Sequence, residues 1–204
     1  DRAIIPVSGT MIRENPFKYR AYIDPLVYRD LVQKVVFVGT ESTGKSTLAR
    51  SMAAFLDTRW VHEYGRELWE SQGLTGTFAD SMKIATKQLQ REEAAILEAD
   101  RYLCCDTNAF TTMQWFLYSH GSVDQRLADL VKKTKNDYIW ILCENDFDWV
   151  QDGTRELIGD KAQELQDCNI DGLEQLGAPF YEIWGSVDER VERVLRILNS
   201  ESKK

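Results

Sequence analysis

Lys34-Val-Val-Phe-Val-Gly39-Thr40-Glu41-Ser42-Thr43-Gly44-Lys45-Ser46-Thr47 is the stretch whose reading decides the fold: a short apolar run closed at once by G-x-x-x-x-G-K-S. The residues before Gly39 are β-branched and aromatic, as a buried parallel strand requires, and those from Ser46 to Leu56 place apolar side chains at helical spacing. A loop of this spacing between a strand and a helix N-terminus is a phosphate-binding P-loop. Gly39 and Gly44 admit the backbone angles that curl successive amides, those of Thr40, Glu41, Ser42, Thr43 and Thr47 among them, around an anion. The helix dipole adds positive potential at the same place. A nucleoside triphosphate is the expected guest. Lys45 would reach its β- and γ-phosphates, and the Ser46 hydroxyl would ligate Mg²⁺.

Outward from this loop the chain alternates between strand and helix patterns. Arg59–Tyr64 reads as a short second strand, and 78–100 as a long helix with Met82, Ile84, Ala85, Leu89, Ala94, Ile96 and Leu97 as its apolar set. Tyr102–Asp106 is an apolar strand ending in a carboxylate, followed by helical patterns at 108–118 and 124–133. Tyr138–Cys143 is the fourth strand, and 179–184 the last, before a helix that Ser186 caps with Glu189 as capping-box partner. Five strands interleaved with helices predict an α/β fold: a parallel five-stranded sheet of the P-loop NTPase, nucleoside-kinase-like kind, with helices on both faces. Residues 1–33 hold three of the four prolines, show no long period, and read as an attachment to the main domain at 34–204.

Ligands in such sheets bind beyond the carboxyl ends of the strands. Glu63, Asp106, Glu144 and Asp146 fall at those ends. Asp106 is placed to hold Mg²⁺ in the manner of a Walker-B aspartate, the rival role being a helix cap. Glu63 is placed to accept the proton of a phosphoryl-acceptor hydroxyl, with Arg66 near enough to hold substrate or carboxylate. His62 points to the other side of its strand and reads as packing. Arg155, in the segment after the fourth strand, is suited to neutralise charge during transfer, or is an ordinary solvated arginine.

Composition narrows the partners. A chain of 204 residues, 43% hydrophobic, can bury a sizeable core, and its formal charge of −8 argues against a nucleic-acid partner while leaving a small anionic ligand compatible. Cys104, Cys105, Cys143 and Cys168 show no metal-ligand spacing and are expected as free thiols in a reducing, cytoplasmic setting. No apolar run approaches membrane-spanning length. The first residue is Asp, so the chain reads as a piece of a longer product.

Four segments together carry a family resemblance: the P-loop from Val36 to Leu48, His62-Glu63-Tyr64-Gly65-Arg66, Asp106-Thr107-Asn108-Ala109-Phe110-Thr111-Thr112, and Trp149-Val-Gln-Asp152-Gly153-Thr-Arg155. They resemble the kinase domain of the NadR family, bifunctional nicotinamide-nucleotide adenylyltransferase/ribosylnicotinamide kinases. The resemblance implies ATP·Mg²⁺ as donor and nicotinamide riboside as acceptor. It extends the candidate site to substrate contacts at Glu63, Tyr64, Arg66, Asn108 and Asp152, and to a nucleotide contact at Gly185 after the last strand. Many relatives carry Asp where Asn108 stands, which would bear on substrate preference. Val7-Ser-Gly-Thr-Met-Ile-Arg13-Glu-Asn-Pro16 is similar to the late ATP-binding motif of the family's adenylyltransferase domain, so 1–33 would be its remnant and linker. That domain's paired histidines (HxGH) are absent, since the only histidines are His62 and His120, and no adenylyl transfer is expected. Two alternatives stand beside this reading: a P-loop kinase of another nucleoside or small metabolite, and a non-catalytic ATP-binding regulator. Thr134-Lys-Asn-Asp137 superficially matches a guanine-reading motif, but it precedes a strand instead of following one.

Overall fold

The computed structural model describes residues 6–72, 78–146 and 160–202. Five parallel strands form one sheet: β1 (Gln33–Val38), β2 (Trp60–Val61), β3 (Tyr102–Asp106), β4 (Tyr138–Cys143) and β5 (Phe180–Ile183), in the order β2-β3-β1-β4-β5. The strand that leads into the P-loop is therefore central. The register sets Phe37 opposite both Asp106 and Ile141, which brings the carboxyl end of β3 beside the loop.

Alternation along the strands divides the core into two layers. Val35, Phe37, Cys104, Ile141 and Cys143 face α3 (Lys45–Phe55) and α9 (Val187–Glu201), packing on Leu48, Met52, Val194 and Leu198. Val36, Val38, Leu103, Cys105, Trp140 and Leu142 face the other way. There they meet Ala85 of α5 (Phe78–Ala95), Phe110 of α6 (Ala109–His120), Leu127 and Val131 of α7 (Gln125–Thr134), and Leu173 of α8 (Asp160–Leu176). With helices on both faces the central strands are buried on both sides, which is why they read as continuous hydrophobic runs. The expected capping box closes the N-terminus of α9 between Ser186 and Glu189.

Lys34, Glu92 and Tyr138 interrupt the second layer. Lys34 Nζ donates to Glu92 Oε2 at 3.0 Å and Tyr138 Oη donates to the same oxygen at 2.7 Å, all three side chains being buried. Desolvation raises the Glu92 carboxyl above the ordinary range despite its cationic partner.

Residues 6–32 form α1 (Gly9–Glu14), a 3₁₀ turn at Arg20–Tyr22 and α2 (Pro25–Leu31). Tyr28 and Val32 are buried in the same layer as Leu103, and Tyr28 Oη donates to the Ala99 carbonyl at 2.6 Å. The three strand cysteines are buried free thiols, and loss of solvent pushes Cys104 and Cys143 up to about 12.

The second strand is shorter than the sequence implies. Among the described residues it pairs with β3, through Trp60 and Val61, and α4 (Tyr64–Gln72) begins three residues later. The helix starts there because the Gln88 side chain takes the Tyr64 amide at 2.9 Å, satisfying a donor that a strand would have given to a neighbour. Tyr64 is thus the first residue of a helix, not the last of a strand.

Candidate active site

Gly39 turns the chain out of β1 with φ +142°, and a Cβ there would lie 2.7 Å from the Cys143 carbonyl oxygen. Only glycine lets the loop pass this close to β4. Gly44, at φ +77°, ends the loop as the N-cap of α3.

Two side chains from distant helices hold the loop from behind. Gln166 of α8 accepts the Thr40 N–H at 2.9 Å through Oε1 and donates to the Cys143 carbonyl at 3.0 Å through Nε2. Arg190 of α9 donates to the Thr43 carbonyl at 2.7 Å, the Gly185 carbonyl at 2.8 Å and the Glu144 carbonyl at 3.1 Å, and pairs with the Asp146 carboxylate. Each is only 1% exposed. Inside the loop Thr43 Oγ1 donates to the Thr40 carbonyl at 2.9 Å, and Lys45 Nζ donates to the same oxygen at 2.5 Å. Asp146 also accepts the Gly185 amide, at 2.5 Å.

The front of the loop opens on a cleft. Thr40, Glu41, Ser42, Lys45, Ser46 and Thr47 form its phosphate end, and Glu63, Gly65 and Arg66 stand beside it. Trp69, Ile84, Trp115, Phe116 and Leu165 make the far walls apolar. Asp106 lies beneath the floor, fully buried, with neither carboxylate oxygen in a hydrogen bond of normal geometry. Burial raises its carboxyl above the ordinary range, opposed by Ser46 and Lys45 beside it. Glu63 is raised as well, first by burial and then by the negative charge of Asp106, against Lys45 and Arg66. Arg66 Nε stands 3.9 Å from Glu63 Oε2. Thr107, the residue after Asp106, lines the cleft with φ +68°, a conformation β-branched residues rarely adopt, and its amide donates to the Phe37 carbonyl at 3.3 Å.

A buried carboxylate beside a serine hydroxyl, its oxygens in no hydrogen bond of normal geometry among the described residues, fits a hard divalent cation, which takes oxygen ligands. Among the described residues no group of three or more His, Cys, Asp or Glu forms a self-sufficient metal cage. The helix-cap alternative for Asp106 is excluded, because Asn108 is the cap of α6.

Three residues expected to contact ligand make contacts within the protein. Asn108 is 2% exposed and its side-chain oxygen accepts the Phe110 amide at 3.0 Å, which caps the start of α6. The Tyr64 ring lies under Arg91, whose guanidinium also grips Glu67 at 2.7 and 2.6 Å. Gly185 gives its amide to Asp146. None of the three lines the cleft. His62 packs on Trp60, with Nδ1 3.0 Å from the Glu63 carbonyl oxygen. Asp152 and Arg155 lie outside the described residues.

Comparison with known proteins places this geometry. A family described as an AAA domain matches residues 34–190. The chain is 32% identical over 187 residues to the trifunctional NAD biosynthesis/regulator protein NadR of Escherichia coli K12, covering 89% of this chain and 45% of that protein. It is 34% identical over 161 residues to its Salmonella typhimurium counterpart, covering 77% and 39%. The chain belongs to the AAA domain family, and it is similar to the NadR proteins. It spans less than half the length of these curated relatives. A crystal structure of NadR in complex with NR superposes with a TM-score of 0.74 at 22% identity, covering 95% of this chain and 59% of that one. Thymidylate kinase from Ehrlichia chaffeensis gives 0.60 at 13% identity, covering 82% and 98%. Both likenesses establish the fold.

The side chains that brace the P-loop, Gln166 and Arg190, lie outside every sequence motif. A signal existed. Arg190, Val194 and Leu198 share one buried face of α9, and Ala162, Leu165, Gln166, Asn169 and Leu173 share one of α8. A polar or charged residue on the apolar stripe of a helix needs a partner, and here the partner is the phosphate loop.

Among the described residues, no helix is long and apolar enough to cross a membrane.

Proposed function

We propose that the chain transfers the γ-phosphoryl group of ATP to the 5′-hydroxyl of nicotinamide riboside, giving nicotinamide mononucleotide and ADP. The observation that carries this is the meeting of Lys45, Glu63 and Asp106 at the phosphate end of a cleft whose other walls are tryptophan and phenylalanine. Similarity to NadR proteins, one of them crystallised with NR and another with NAD and AMP-PNP, supports the choice of acceptor and donor.

The P-loop amides and Lys45 hold the triphosphate and stabilise the charge that spreads over the transferred group. Ser46 and Asp106 would hold Mg²⁺, which supplies neutralisation of the phosphate charge when bound with the nucleotide. Glu63 orients the acceptor hydroxyl and takes its proton as that oxygen bonds to the γ-phosphorus and the bond to the β-phosphate oxygen breaks. A carboxyl raised by burial and by Asp106 is a better proton acceptor than an exposed one. Arg66 orients Glu63 or the sugar, and Asp152 and Arg155 remain part of the proposed site. Residues 1–33 are read as the end of an adenylyltransferase domain and the linker from it.

ADP release coupled to nicotinamide riboside, beside uridine, cytidine and thymidine, tests the acceptor. Preference for one of the other three makes this a kinase of a different nucleoside. Consumption of ATP that is independent of any nucleoside points to a regulator. Glu63→Gln is expected to lower kcat far more than it weakens ATP binding. A fall in ATP affinity with kcat preserved would assign Glu63 to the donor side.

A further inference from the structure

Among the described residues, three polar atoms on three different helices around the cleft have no hydrogen-bond partner: Gln88 Nε2 of α5, Thr111 Oγ1 of α6 and Asn169 Oδ1 of α8. Gln88 and Asn169 are 2% and 1% exposed. Buried amides are ordinarily paired, and the cost of leaving one unpaired is recovered when a ligand supplies the missing group. For Gln88 the orientation of the amide is fixed as well. The Tyr64 N–H requires an acceptor, so Oε1 faces it at 2.9 Å and Nε2 is left as a donor.

Tyr64 stands between Glu63 and Gly65, and both of those line the phosphate end of the cleft. Gln88 is thereby tied to the backbone that carries the proposed proton acceptor. A sugar whose primary hydroxyl lies at Glu63 brings its ring hydroxyls to the same end. We propose that Gln88 is a specificity-determining residue of the acceptor subsite, donating through Nε2 to a ring hydroxyl of the sugar and so selecting ribosides over deoxyribosides. The assignment rests on the acceptor reading given above, and it adds the part of the ligand that is recognised. Thr111 and Asn169, unpaired on the other walls, supply polar atoms for the remaining groups of such a ligand, which a wholly apolar acceptor would leave unmet.

The test is a cycle between protein and ligand. Binding of nicotinamide riboside and of its 2′-deoxy and 3′-deoxy forms is measured by calorimetry on the wild-type chain and on Gln88→Met, with KM for ATP measured alongside. One deoxy form is expected to bind the wild type about tenfold more weakly than the riboside, the loss of a single hydrogen bond to a buried group. Gln88→Met is expected to bind the riboside weakly to the same extent, with no further loss for that deoxy form and with KM for ATP unchanged. A purely structural effect at Tyr64 would weaken all three ligands together and keep the deoxy penalty, which would overturn the assignment. The wild-type arm is decisive by itself should Gln88→Met not fold: equal affinity for the riboside and both deoxy forms overturns it. No binding of nicotinamide riboside by the wild type overturns the acceptor reading and this assignment together. Binding and turnover without a deoxy penalty overturn only the latter.

Discussion

The back and the front of the P-loop differ in how their polar groups are satisfied. Behind it, the Thr40 amide, the Thr43 carbonyl and the Gly185 and Glu144 carbonyls are all bonded by Gln166 and Arg190. In front, Asp106, Thr111, Gln88 and Asn169 each hold buried polar atoms without a hydrogen bond of normal geometry among the described residues. One set makes a braced cradle, and the other is left for the ligand and cation proposed above to meet. Preorganisation is therefore built on the donor side, and the cost of burial is concentrated where charge must later be met.

The contrast can be broken from either side. The largest effect is expected from Lys45→Ala, which should cut kcat by roughly 10²–10⁴-fold with little change in Tm, because the role proposed for the ammonium is to stabilise the transferred group and its hydrogen bonds among the described residues are to its own loop. Near-normal turnover in the ADP-release assay would show that the cleft does not carry phosphoryl transfer. Arg190→Met should destabilise the chain by about 3–5 kcal/mol in urea unfolding, since it strands three carbonyls and the Asp146 carboxylate. It should also raise KM for ATP by loosening Thr43. Wild-type stability would mean that the loop is held by its own backbone. Gln166→Leu removes one acceptor and one donor, and a loss of roughly 1–3 kcal/mol is expected by the same measurement.

The smallest effect has the opposite sign. Burial raises the carboxyls of Asp106 and Glu63 in the folded state, so the folded chain binds protons more tightly than the unfolded chain. Their contribution to stability is complete below the ordinary carboxylate range and is lost as pH rises through the raised folded values. Asp106→Asn should therefore raise the Tm of the ligand-free protein while lowering kcat, with the gain in Tm widening from pH 4 toward pH 7. A Tm that falls at every pH would mean that Asp106 is structurally satisfied, and would erase the difference between the two sides.

The sequence was explicit wherever one local pattern had one structural solution. β3 and β4 occupy the stretches their apolar runs mark, and the Ser186 capping box is formed as written. It was silent where distant elements meet. Arg190 lies 147 positions from its P-loop partner Thr43, and Gln166 lies 126 from Thr40. No local period records such pairings, although the polar interruption of an apolar helical face does. Asn108 shows the reverse case: a residue prominent in a motif whose side-chain oxygen caps a helix start. Glu63 and Asp106 were legible as carboxylates at strand ends, but their mutual influence needed β2, β3 and β1 to lie side by side.

Cys104, Cys105 and Cys143 sit inside the sheet while Cys168 is partly open on α8. A thiol reagent therefore has one target within reach and three that react only when the strands part, because a buried, protonated thiol is no nucleophile. Labelling of those three is expected to report opening of β1's neighbours, and a small molecule that binds only the folded domain is expected to retard it. Ligand discovery on this domain needs no coupled enzyme, only a count of sulfhydryls against time.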